Sequence, residues 1–222
     1  MTAVPQAHTF RPRDLVGGHV VLDLVNTVTA RNAEPADWLD GYPRLLEWAA
    51  LTGRFSPAAL TELVATAGAD PGTEARALDR VRELREALHA LVTALVHDDT
   101  PAPAVAVGRV EKQWKQAVAR SRLVLDGNIP RLDIGLDASG LDYPAHVLAL
   151  EALELLRSWP ADRVRVCPGG RCGWVFLDSS RGGRRRWCSM ATCGNSAKGR
   201  THYRRKQRPE DPRDPAASPT GT

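Results

Sequence analysis

Apolar residues recur along most of this chain at helical spacing, and three short stretches depart from it. The first is "GGHVVLDLVNTV", where His19 to Val25 is apolar and β-branched behind Gly17–Gly18. That run predicts a strand ending at Asn26 and Thr27, two polar residues placed either to line a pocket or, the favoured reading, to cap or turn the chain. Leu45, Leu46, Trp48, Ala49 and Leu51 then share a helical face closed by Gly53. Ser56 and Pro57 mark the cap and first turn of a helix ending near Gly68.

The longest helix is predicted from Thr73 to about His97. Its stripe is Leu78, Val81, Leu84, Leu88, Leu91, Val92 and Leu95, with Arg80, Arg82, Glu83, Arg85 and Glu86 off the stripe. A further helix over 104–120 carries Trp114. The second departure, "SRLVLDGNIPRLDIGL", predicts two short strands around Gly127–Asn128. Tyr143 to Trp159 is again amphipathic and is stopped by Pro160. The third departure predicts a strand from Trp174 to Leu177, a Gly182–Gly183 turn and a return strand to Trp187.

These elements imply a mainly α (α+β) protein. A flexible N-terminus (1–14) precedes a helical domain with a few short strands (15–159). A small module (160–208) and a disordered, proline-rich tail (209–222) follow. Trp38, Trp48, Trp114 and Trp159 are expected in the core or at a domain contact. Trp174 and Trp187 are expected to pack across the small module.

Composition sharpens the division. The net charge is +4, yet residues 161–208 hold 13 Lys and Arg against 2 Asp and Glu, a local balance of +11. The remainder holds 17 basic and 24 acidic residues, a balance of −7. Such asymmetry predicts a basic module facing a polyanion. No apolar run approaches the ~20 residues that cross a bilayer, and the start of the chain has no secretory pattern. A cytoplasmic protein with no membrane partner is expected. Six scattered histidines show no metal-ligand spacing, and no Ser-His-Asp grouping, phosphate loop or paired-carboxylate signature appears. No catalytic residue is assigned, and the protein is not expected to be an enzyme.

All four cysteines lie in the small module: Cys167 and Cys172 at C-x4-C, then Cys188 and Cys193 at C-x4-C after fifteen residues. In a reducing compartment this pattern favours one metal over disulfides. Four thiolates close a tetrahedral zinc site, leaving no open position, so a structural role is expected. Rubredoxin-type iron would accept similar ligands, but nothing suggests an electron partner. A module this small needs such a staple. A knuckle, a hairpin and a helix whose first turn supplies the last ligands would make a treble-clef-like arrangement. Arg181, Arg184, Arg185 and Arg186 cluster at the predicted turn, and Lys198, Arg200, Arg204 and Arg205 stand on the following helix. These eight are the candidate nucleic-acid contacts.

The stretches Cys172–Gly173–Trp174, Phe176–Leu177–Asp178, Arg186–Trp187–Cys188–Ser189–Met190 and Cys193–Gly194–Asn195 resemble the CGNR zinc finger family. "GGHVVLDLVNTV" followed by "LDGYPRLLEWAALTG" is similar to the opening of the ABATE-type domain usually joined to that finger. The resemblance implies a bacterial, stress-linked transcription regulator. It implies one zinc ion on Cys167, Cys172, Cys188 and Cys193, a finger that binds DNA, and an N-terminal domain that senses a small ligand. Homodimerisation is the other expected role of that domain. Folded RNA, or an acidic protein docked by an adaptor, are the competing partners. One departure is plain: Ser196 stands where the family name has arginine.

Overall fold

The computed structural model describes residues 8–97 and 101–206, excepting the side chains of 201, 202 and 204–206. Residues 1–7 of the expected flexible start (1–14), and the whole of the expected disordered tail, lie outside the described residues.

The opening apolar run is a helix, α1 (Val20–Val25), and not the predicted strand. All six of its residues are buried, so the run has no polar face to set a period of two. A short run that is buried throughout, here apolar but for Asp23, is compatible with either element. His19 Nδ1 accepts the Val21 N–H at the start of the helix, and Asn26 closes it. The strand that follows is the two-residue β1 (Val28–Thr29), paired antiparallel with β2 (Ala36–Asp37).

The predicted helices form at or near their expected places. They are α2 (Tyr42–Thr52), α3 (Pro57–Thr66), α4 (Pro71–His97), α5 (Ala104–Ala119) and α7 (Tyr143–Arg157), with a short α6 (Leu136–Ser139) before α7. Ser56 accepts the Ala59 N–H, as a cap should. The Leu78–Val92 stripe of α4 is buried against α1, α2, α5 and α7, making one apolar core. Trp48 is fully enclosed there. Strands β3 (Ser121–Asp126) and β4 (Ile129–Ile134) form the predicted hairpin around Gly127–Asn128. No helix of the described residues is long and apolar enough to cross a membrane.

Residues 8–14, expected to be flexible, rest on the body. His8 stacks on Trp38 with centroids 3.6 Å apart, and its Nε2 lies 3.0 Å from Asp14 Oδ2. Trp38 meets Trp174 edge-on at 5.5 Å, a domain contact.

In the small module, β5 (Val164–Val166) pairs antiparallel with β6 (Val175–Leu177). Strand β6 thus pairs backward, and no return strand forms at 184–187. Asp178 explains the difference: its two oxygens accept the N–H groups of Ser180 (2.9 Å) and Arg185 (2.8 Å). That ties the segment as a loop and takes an amide a ladder would use. After the loop comes a π-helical turn (Met190–Gly194) and then α8 (Asn195–Lys206).

Candidate metal centre

The hairpin of β5 and β6 carries the first cysteine pair between its strands. Cys167 follows β5 and donates its N–H to Trp174 O (2.7 Å), while the Cys172 N–H turns back to Gly169 O (2.8 Å). Gly169 sits against the sulfurs: a Cβ there would lie 3.1 Å from Cys193 Sγ and 3.0 Å from Cys172 Cβ. Cys188 ends the loop and places its N–H 3.5 Å from Cys167 Sγ, and Cys193 lies in the turn that leads into α8.

All four Sγ atoms lie within 4.8 Å of one another. Four thiolates about 2.3 Å from one zinc ion stand about 3.8 Å apart at tetrahedral angles. Two sulfur pairs here, Cys172–Cys188 and Cys188–Cys193, are 3.6 Å apart. Three of the sulfurs also influence one another's ionisation. S–H donation from Cys172 and Cys188 holds the Cys167 thiol far below its ordinary value, and the same contacts push Cys172 and Cys188 up. One thiolate shared among neighbouring thiols is what a divalent cation would replace, ionising the whole set. The donor set fits a closed tetrahedral ion whose role is to hold loop, hairpin and helix together. Phe176, Val16, Trp174 and Trp187 enclose it in a small apolar cluster.

The module is bound to the helical domain through groups far apart in sequence. Asn26 Nδ2 donates to Val175 O (2.8 Å), and its Oδ1 accepts the Val175 N–H (2.9 Å). Trp174 Nε1 donates to Val28 O (3.2 Å), and the Arg31 N–H to Cys172 O (3.2 Å). Gly173 has φ +68 and lies so near the Asn32 side chain that a Cβ would come within 2.8 Å. Val164 and Val175 belong to the same core as α1 and α4. Asn26 therefore acts as a docking group, a role beyond the cap or turn expected of it.

The basic candidates divide. Arg181, Arg184, Arg186, Lys198 and Arg200 are exposed, and among the described residues none forms an ion pair. Arg171, not singled out in the sequence, is exposed in the knuckle as well. Arg185 differs: its guanidinium lies 4.5 Å from the Phe176 ring centroid and donates to Trp187 O (3.1 Å), Val16 O (3.2 Å) and Cys188 O. It braces the metal loop and is not free to meet phosphate. The side chains of Arg204 and Arg205 lie outside the described residues.

A second polar site lies beside the docking contact. His19, Asp23, Thr52, Arg54 and Glu151 line an open pocket of about 410 Å³. Burial pushes the Asp23 carboxyl up to about 6, against the Gly17 N–H that it accepts at 2.7 Å. Gly17 in turn accepts the Leu177 N–H through its carbonyl (2.7 Å), joining the pocket wall to β6.

Comparison with known families agrees with this geometry. The CGNR zinc finger model matches residues 163–206. No curated protein matches the chain. The ABATE model, described as "Putative stress-induced transcription regulator", matches residues 18–159. The chain belongs to the ABATE family and carries a CGNR zinc finger at its C-terminal end.

Proposed function

We propose that this protein is a transcription regulator that binds duplex DNA through its zinc-closed C-terminal module. Cys167, Cys172, Cys188 and Cys193 hold one structural zinc ion, whose contribution is to fix the basic loop and the start of α8. The observation that carries the reading is the set of exposed basic side chains at Arg181, Arg184, Arg186, Lys198 and Arg200, none ion-paired among the described residues, on the backbone around the four cysteines. Guanidiniums placed this way neutralise phosphates and release counterions. The helical domain senses a small ligand, and the pocket at Asp23 and Glu151 is its site. The Gly17–Leu177 bond supports coupling of that pocket to the module. No catalytic role is assigned.

The test is the salt dependence of binding to genomic duplex fragments, read by fluorescence anisotropy. Replacing Arg181, Arg184 and Arg186 with Ala should flatten the log–log salt slope by about 2–3, near 0.9 per lost phosphate contact. An unchanged slope would move the footprint elsewhere. Structured RNA that competes better than duplex DNA would favour the RNA reading, and no retention at physiological salt would favour an adaptor.

A further inference from the structure

The hairpin of β3 and β4 stands apart from the site already described. Among the described residues it is a two-stranded sheet with no third strand on either edge, an element that is marginal in water by itself. The register pairs Leu123 with Leu132 and Leu125 with Pro130, so these four residues share one face. That face is open: Leu123 and Leu125 are each 71% exposed and Leu132 is 48% exposed. The other face carries Arg122 near Asp133 (3.5 Å) and Arg131 near Asp126 (3.9 Å). Two arginines against two aspartates leave no basic excess for a phosphate backbone.

We infer that this hairpin is a dimerisation arm whose β3 edge pairs antiparallel with β3 of a second copy, about a two-fold axis at Val124. Two properties of the sequence commit the arm to that partner. The first is the state of the edges. Asp126 and Ile129 close a two-residue turn, so alternation turns the peptide groups of Leu123 and Leu125 outward on β3. The same alternation turns Pro130 outward on β4, where a missing N–H blunts that edge. The second property is self-complementarity. In Arg122-Leu123-Val124-Leu125-Asp126, a two-fold at Val124 sets Leu123 opposite Leu125 and Arg122 opposite Asp126 of the other copy. Each pair then occurs twice, and directly opposed unlike charges and apolar pairs are the units that stabilise antiparallel strands. A C2 interface of this kind requires self-complementarity of one patch. The arm goes beyond the regulator reading and stands whether or not the zinc module binds DNA.

Sedimentation velocity over a concentration series of the full chain tests it. The wild-type chain should show a monomer–dimer equilibrium, and Leu123→Glu should weaken it at least about tenfold. Arg122→Asp and Asp126→Arg each oppose like charges in the homodimer, so each alone should dimerise at least about tenfold more weakly. Mixed together, the two variants restore both opposite-charge pairs, so the heterodimer should form. That recovery would also show that both variants are folded. A wild-type chain that stays monomeric at its solubility limit overturns the proposal. So does a dimer indifferent to Leu123→Glu, or a mixture that fails to recover. Arm variants that weaken DNA binding without changing sedimentation would reassign the arm to nucleic acid and equally overturn it.

Discussion

In the helical body, Arg31 meets Glu86, Arg44 meets Glu47, Arg54 meets Glu151, Arg80 meets Asp142 and Arg85 meets Asp37. In the metal module, Arg181, Arg184, Arg186, Lys198 and Arg200 meet no carboxylate among the described residues. Stability alone does not account for the difference, because exposed pairs contribute only about 0–1 kcal/mol each. A cluster of unpaired cations does have an electrostatic consequence: it raises the local potential and attracts anions. Most arginines along the α4 side of the body are answered by carboxylates, whereas the five exposed cations of the module are not. The contrast has exceptions on both sides: in the module Arg163 lies 3.4 Å from Asp162 and Arg185 is folded inward onto Phe176, while in the body Arg109 and Lys112 meet no carboxylate and Asp23 no cation among the described residues.

The largest effect should come from the metal. Cys193→Ser, or exhaustive chelation, should remove the bound ion and cost on the order of 5 kcal/mol or more. Because Val164 and Val175 lie in the common core, urea unfolding followed by α-helical dichroism should also shift for the body. A body transition that does not move would show that the two regions are energetically separate, and the contrast between them would then be one between independent domains.

The next effect probes the paired arginines. Arg85 is buried and donates from both terminal nitrogens to Asp37, each at 2.7 Å, and from Nη1 to Thr27 Oγ1 at 3.1 Å. Arg85→Met should cost about 2–3 kcal/mol, at or below the low end for a broken buried pair because the Asp37 side chain is one-third exposed. Arg184→Met should stay within about 0.5 kcal/mol of wild type in the same urea titration. Equal costs would erase the distinction drawn between the two regions.

Much of this was legible in the sequence, for identifiable reasons. The cysteine spacing encodes a local chemical requirement, and the four sulfurs do converge. The α4 stripe from Leu78 to Val92 and the Ser56 cap are local as well, and both hold, whereas Leu95, read as part of the stripe, is exposed and Arg85, read off it, is buried. Helix α1 was not legible, because six residues buried on every side carry no period. Pairing of β5 with β6 was hidden by its three-residue length and by the knuckle between the strands. The Asn26–Val175 contact joins residues 149 positions apart, and no local pattern encodes such a bond. Arg185 looked like its neighbours until the fold of the loop turned it inward.

The smallest effect concerns Asp23 and depends on pH. Its carboxyl titrates near 6 in the folded state, against 3.8 ordinarily, chiefly because burial penalises the charge. The folded state therefore binds the proton more tightly than the unfolded state between about pH 4 and 6, and stability falls as pH rises through that window. Asp23→Asn keeps an oxygen for the Gly17 N–H and removes the buried charge. It should stabilise the protein by on the order of 1–3 kcal/mol at pH 7, with the gain vanishing below pH 4. The wild-type curve alone would conceal this. Burial lowers His19, His146 and His89, the last to about 4, so they lose stability in the opposite direction as pH falls. The difference between variant and wild type, measured by urea unfolding at pH 4, 5.5 and 7, isolates the carboxyl. A difference that stays constant across the series would mean that Asp23 ionises in its ordinary range and that its isolation from cations is inconsequential. A difference that grows with pH would show the body tolerating a buried charge with no cationic partner at the pocket joined to β6.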